Sequence, residues 1–146
     1  MKTNAVTTHE WADVLATLPL FEGIRRRELR RIAEHAEVTE FAPGDMVVAT
    51  GETSNSFYVI LGGEASPAWK PAGRPLRRGD YFGEIGLLDG ESRSGTVVAT
   101  TDLHVMRMPR RAFDDALDRN PSVARRLLVE LGSRVRELER QAVRRV

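Results

Sequence analysis

The apolar positions change period twice along the chain. Between Thr8 and Ala36 they recur at helical spacing. Trp11, Val14 and Leu15 give one side of a first helix, expected over about Thr8 to Thr17 with Thr7 and Glu10 as a capping box. Pro19 ends it. Leu29, Ile32, Ala33 and Ala36 form one stripe of a second helix from about Arg25 to Ala36. After Glu37 the period shortens, and β-rich runs alternate with Gly, Pro and Asp turns. The pattern predicts strands near Val38–Phe41, Met46–Thr50, Phe57–Leu61, Ala65–Trp69, Leu76–Arg77, Thr96–Thr100 and Leu103–Met108. Pro67 marks its strand as an edge. Helical spacing returns at about Arg110–Leu117, breaks at Asn120-Pro121 and resumes to the C-terminus.

Many short strands bracketed by helices imply one α+β domain over residues 1–146. A helical lead-in (1–36) precedes an antiparallel, jelly-roll-like β-roll (37–109), and hinge and lid helices (110–146) follow it. In the last helix Ala124, Leu128, Leu131, Val135, Leu138 and Ala142 alternate by four and three residues, an a/d seam barely three heptads long. Two readings of it stay open: packing on the β-roll, or a homodimer through this helix.

Composition narrows the chemistry. The 146 residues contain no cysteine, so disulfides, thiolate metal sites and thiol nucleophiles are excluded. His9, His35 and His104 lack metal-ligand spacing, which disfavours a metal-dependent β-roll enzyme and implies no cofactor. Arg78-Gly79-Asp80 sits inside a turn and is read as coincidence; Trp11 and Trp69 are read as core or hinge packing. No apolar run approaches a membrane span and no secretory signal opens the chain, so a cytoplasmic protein is expected. Met1 favours a complete small chain.

Net charge is +1, yet five arginines fall within Arg25–Arg31 and seven between Arg125 and Arg145. Solvated helix faces account for both runs. A contact surface for an acidic partner or for nucleic acid is the alternative, but neither run interleaves aromatics or carries a recognition motif.

The informative segment is Gly79–Ala99, GDYFGEIGLLDGESRSGTVVA. Gly83, lacking a Cβ, lets backbone approach a ligand before a short apolar helix, Ile85–Leu88. The start of that helix suits an anion. Arg93 lies among the small residues Ser92, Ser94 and Gly95, and arginine grips phosphate bidentately. With Glu84 nine residues upstream, the set could hold one phosphate beside a hydroxyl-bearing group such as a ribose cyclic phosphate. The same residues could instead form a structural Glu84–Arg93 ion pair among ordinary turn glycines.

This segment resembles the phosphate-binding cassette of the cyclic nucleotide-binding domain family. Phe82-Gly83-Glu84, Ile85-Gly86, Leu87-Leu88, Asp89-Gly90-Glu91, Ser92-Arg93, Ser94-Gly95 and Thr96-Val97 fall in the family's register without a gap. Leu18–Phe21, Phe41–Asp45, Ser56–Leu61 with Gly63-Glu64, Phe113 and Pro121 also fit. Ser92 replaces the usual proline and Gly95 the usual alanine, which loosens the loop and implies weaker affinity.

The resemblance implies a regulatory domain, not an enzyme, that binds a cyclic nucleotide; cAMP is expected over cGMP, because Ser94 permits guanine without demanding it and no residue placed near the base is a carboxylate aimed at guanine. Arg93 would pair with the phosphate and Glu84 would accept from the ribose 2′-hydroxyl. Amides near Gly83, Ile85, Ser94 and Gly95 would complete the cradle, and Leu76 would line the base pocket. By similarity to cyclic nucleotide-gated channel domains, the arginine thirteen residues after the inter-helix proline, Arg134, would cover the purine, with Leu138 on the same face. Ligand would move the hinge between Phe113 and Asn120 and dock the last helix, acting on an effector protein in trans. An orphan module serving only protein contacts, or a regulator touching nucleic acid through its basic helices, are the other readings.

Overall fold

The computed structural model describes residues 2–5, 8–49, 51, 55–67, 74–90 and 95–144. The elements run in the expected order. Strand β1 (Lys2–Ala5) precedes helices α1 (Thr8–Ala16) and α2 (Arg26–Glu34), with a 3₁₀ turn at Pro19–Phe21 between them. Strands β2 (Glu37–Phe41), β3 (Met46–Val48), β4 (Ser56–Gly62), β5 (Ala65–Pro67) and β6 (Tyr81–Phe82) follow. Helix α3 (Glu84–Asp89), strands β7 (Val97–Ala99) and β8 (Leu103–Pro109), and helices α4 (Arg110–Arg119) and α5 (Pro121–Arg144) complete the chain.

Two antiparallel sheets form the roll, one of order β1-β2-β8-β4-β6 and one of order β3-β7-β5. The larger sheet is covered on both faces, so β4 is buried at every position from Ser56 to Leu61. Phe57, Val59 and Leu61 face a core shared with Leu15, Leu18, Phe21, Leu29, Ile32, Met106, Met108, Phe113 and Leu127. The alternate residues Tyr58 and Ile60 face the roll interior with Phe41, Leu76, Phe82, Val97, Leu103 and Val105. The period of two thus sorts one strand into two cores. Pro67 does lie on an edge, since β5 is the outer strand of the smaller sheet.

Three sequence expectations change. β1 was not anticipated; it pairs with β2 in register Lys2↔Glu40 to Ala5↔Glu37. The strand expected at Leu76–Arg77 is reduced to one bridge, Leu76 to Ala65, while the turn after it closes into the two-residue β6. The α5 seam does not pack on the roll. Leu128, Val135 and Leu138 are 68%, 53% and 63% exposed, whereas Val123 and Leu127 make the contact with the core. Thr7 and Trp69, named as cap and packing residues, lie outside the described residues.

α2 is tied to α4 by two ion pairs. Arg31 Nε donates to Asp115 at 3.0 Å, and Arg119 donates to both oxygens of the buried Glu28 at 2.9 Å each. The Asn120 amide also reaches Glu28, at 3.5 Å. The Arg119 hydrogen bond, above all, holds the Glu28 carboxyl below the usual carboxylate range. A carboxyl lowered on folding contributes stability above its unfolded pKa and loses it as pH falls through the folded value. Acidification below about pH 4.3 should therefore destabilise the native chain more than it does Glu28→Gln, as read from melting temperature against pH. Parallel acid profiles for the two proteins would contradict this.

Candidate functional site

The segment from Tyr81 to Asp89 is built on a strand and a helix joined by one glycine. Tyr81 and Phe82 pair with Val59 and Tyr58 of β4. The Phe82 ring is buried and stacks on Tyr58, centroids 4.9 Å apart and 7° from parallel, which anchors the strand. Gly83 then turns the chain with φ +94°, a left-handed conformation that any side chain would strain. Helix α3 begins at once with Glu84 and ends on Gly90, also left-handed at φ +76°. Leu87 points into the helix-side core, and Arg110 from the first turn of α4 donates to the Leu87 carbonyl at 3.0 Å. Ile85 and Leu88 face outward, 40% and 50% exposed.

Glu84 is the unusual residue of this helix. Its side chain is only 2% exposed, and its partner comes from α5: Arg134 Nη1 donates to Glu84 Oε1 at 2.8 Å. Burial pushes the Glu84 carboxyl up, and the Arg134 charge opposes that push. The Tyr81 phenol is raised as well, by burial first and then by the Glu130 and Glu84 charges. The end of the cassette nearest α5 therefore holds Tyr81, Glu84, Glu130 and Arg134 in one electrostatic group.

The structure brings together some of the sequence-predicted site residues and not others. Gly83, Glu84 and Ile85 are consecutive at the start of α3, and Arg134 reaches Glu84 across 50 residues of chain. Leu76 is fully buried in the roll interior beside Phe82 and Val97. Gly95 is buried just ahead of β7. Leu138 stands in solvent, one turn beyond Arg134. Arg93 and Ser94 lie outside the described residues. The alternative Glu84–Arg93 pair therefore involves a residue outside the described ones; among the described residues Glu84 Oε1 pairs with Arg134. Sequence spacing gave no signal of that pair, because it depends on how a distant helix docks.

The family profile described as the cyclic nucleotide-binding domain matches residues 38–120, more than half of the chain. The chain is a member of the cyclic nucleotide-binding domain family. The match starts at β2 and ends at the break between α4 and α5, so it takes in the roll, the cassette and the hinge helix. A cAMP-dependent protein kinase regulatory subunit from Hypocrea atroviridis is 31% identical over 119 residues, covering 80% of this chain and 26% of that protein. The chain spans about a quarter of the length of the curated relatives it matches. The Thermus thermophilus catabolite activator protein superposes with a TM-score of 0.75 at 25% identity, covering 85% of this chain and 61% of that one. The regulatory subunit of a cAMP-independent protein kinase A from Trypanosoma cruzi, solved bound to guanosine, gives 0.69 at 27% identity, covering 80% and 43%. As a cyclic nucleotide-binding domain, the chain is a regulatory module with an α+β roll. No helix among the described residues is long and apolar enough to cross a membrane.

Proposed function

We propose that this domain is a non-catalytic cytoplasmic sensor of cAMP whose last helix switches when the nucleotide binds. The observation that carries the reading is the buried Glu84 carboxylate held by Arg134 of α5. By its place in the family register, Glu84 is the acceptor for the ribose 2′-hydroxyl. Ligand and lid helix therefore meet at one carboxylate. A hydroxyl donating to Glu84 shares or displaces the Arg134 bond, and the freed guanidinium can stack on the purine. Binding so shifts the population between two positions of α5. Arg93 supplies the phosphate charge, with amides near Gly83, Ile85, Ser94 and Gly95 around it, and Leu76 backs the base. The response passes to an effector protein in trans.

The base pocket supports adenine over guanine. Leu76 is apolar, Glu84 is engaged by Arg134, and the charge of Glu130 on α5 acts on Glu84. Guanine's extra donors left unpaired cost about 1–3 kcal/mol, roughly a five- to hundredfold preference for cAMP. Competition of labelled cAMP by unlabelled cGMP and guanosine tests this. The expected order is cAMP, then cGMP, with guanosine weakest because it offers no phosphate. Stronger displacement by cGMP would assign the pocket to guanine, and stronger displacement by guanosine would take the phosphate out of the recognition.

The exposed α5 seam supports a second proposal, a homodimer. Leu128, Val135 and Leu138 stay in solvent while the alternation by fours and threes matches a two-stranded coiled coil. Sedimentation should find a dimer that Leu138→Lys dissociates. A monomer at high concentration, with and without nucleotide, would contradict it.

A further inference from the structure

The arginine run at the start of α2 is only partly absorbed by the fold. Arg26 pairs with Asp13 at 2.5 Å and Arg31 with Asp115 at 3.0 Å. Arg25 and Arg27 are exposed and have no acidic partner among the described residues. Both line a cleft of about 460 Å³ between the start of α2 and the break that joins α4 to α5. Arg119, Asn120 and Ser122 form the opposite wall. Glu28 is the one acid of the lining, and both of its oxygens are taken by Arg119. The cleft thus presents three guanidinium groups against one neutralised carboxylate, in a chain whose net charge is only +1. None of its lining residues belongs to the cassette segment.

Backbone donors open on the same space. Arg25, at the N-cap of α2, supplies no side-chain cap; its carbonyl takes the Glu28 and Leu29 amides, which leaves those of Arg26 and Arg27 to a ligand. α5 starts at the cleft too, with Pro121 and Ser122. Two helix starts and two unpaired arginines around one concave site favour negative charge, and planar guanidinium forks match phosphate oxygens. The volume exceeds what a single phosphate fills.

We propose that this cleft is a second binding site, separate from the cassette, for a small molecule bearing two or more adjacent phosphates. Arg25 and Arg27 are the contacting side chains, and Arg119 lends its remaining N–H groups without leaving Glu28.

Calorimetric titration of the full chain with inorganic pyrophosphate, at ionic strength held constant with sodium chloride, tests the site. The unmodified chain should bind saturably. Arg25→Ala/Arg27→Ala should weaken binding about tenfold or more, since each lost bond to a charged group matters on that scale. Both side chains are exposed, so its melting temperature should match the parent's, and Arg25→Gln alone should weaken binding in the same direction. Arg93→Ala should bind pyrophosphate as the parent does, whatever it does to cyclic nucleotides. No saturable binding to the parent overturns the proposal, as does equal binding by parent and double variant. Loss in Arg93→Ala alone overturns it as well, because it places pyrophosphate on the cassette.

Discussion

Arg93→Ala should reduce affinity for cAMP by two orders of magnitude or more. In the family register this arginine is the side chain that meets the cyclic phosphate, and the remaining donors near Gly83 and Gly95 are backbone amides. An anion drawn into a partly closed site without its counter-charge loses on the order of 3–5 kcal/mol, which corresponds to a factor of hundreds to thousands. Arg93→Lys should recover little, because an ammonium cannot make the two parallel bonds of a guanidinium. Circular dichroism and melting temperature should match the parent's. Retained cAMP affinity in Arg93→Ala, measured by calorimetry, would remove Arg93 from the site.

Glu84→Ala should produce two separable effects. The parent should discriminate against 2′-deoxy-cAMP by roughly ten- to hundredfold, the value of a hydrogen bond to a charged acceptor. The variant should lose most of that discrimination. The second effect appears without ligand. Arg134, 26% exposed beside the buried carboxylate, loses its partner, and α5 is then held near its start, by Val123 and Leu127 in the core and by the Arg126 hydrogen bond to the Leu20 carbonyl. Hydrogen exchange along α5 beyond Gly132 should accelerate in Glu84→Ala and in Arg134→Ala alike. Equal affinity of the parent for cAMP and its deoxy analogue would contradict the first effect, and unchanged exchange in both variants the second. Protonation should imitate the substitution. Burial raises the Glu84 carboxyl, so it takes up its proton at a higher pH than an exposed glutamate and releases Arg134 sooner on acidification. For folding stability, a raised carboxyl favours the native state below its unfolded pKa and loses that contribution as pH rises through the folded value, opposite in sign to Glu28.

Local pattern made the roll and cassette legible. Strands β2, β4 and β8 are the longest of the roll, and their apolar runs, continuous in β4, located each within a residue or two at either end. Gly83 and Gly90 bracket α3 at positive φ, so their places in the sequence marked the helix directly. β1 was invisible because Lys2–Ala5 offers a single β-branched residue and no apolar alternation; its order comes from pairing with β2. β6 is two residues long, too short to carry a period. The last helix was the hardest to read. Its core contacts, Val123 and Leu127, are one turn apart, while the more prominent seam through Leu128, Val135 and Leu138 points to solvent. The ion pairs Glu84–Arg134 and Glu28–Arg119 span 50 and 91 residues, and no spacing rule connects such positions. Tertiary docking alone creates them.

The central claim is that this domain binds cAMP at the cassette that opens with Phe82-Gly83-Glu84. Calorimetric titration of the purified chain with cAMP tests it most directly. The account predicts a saturable isotherm with one nucleotide per chain; an absence of saturable heat up to millimolar cAMP would contradict it.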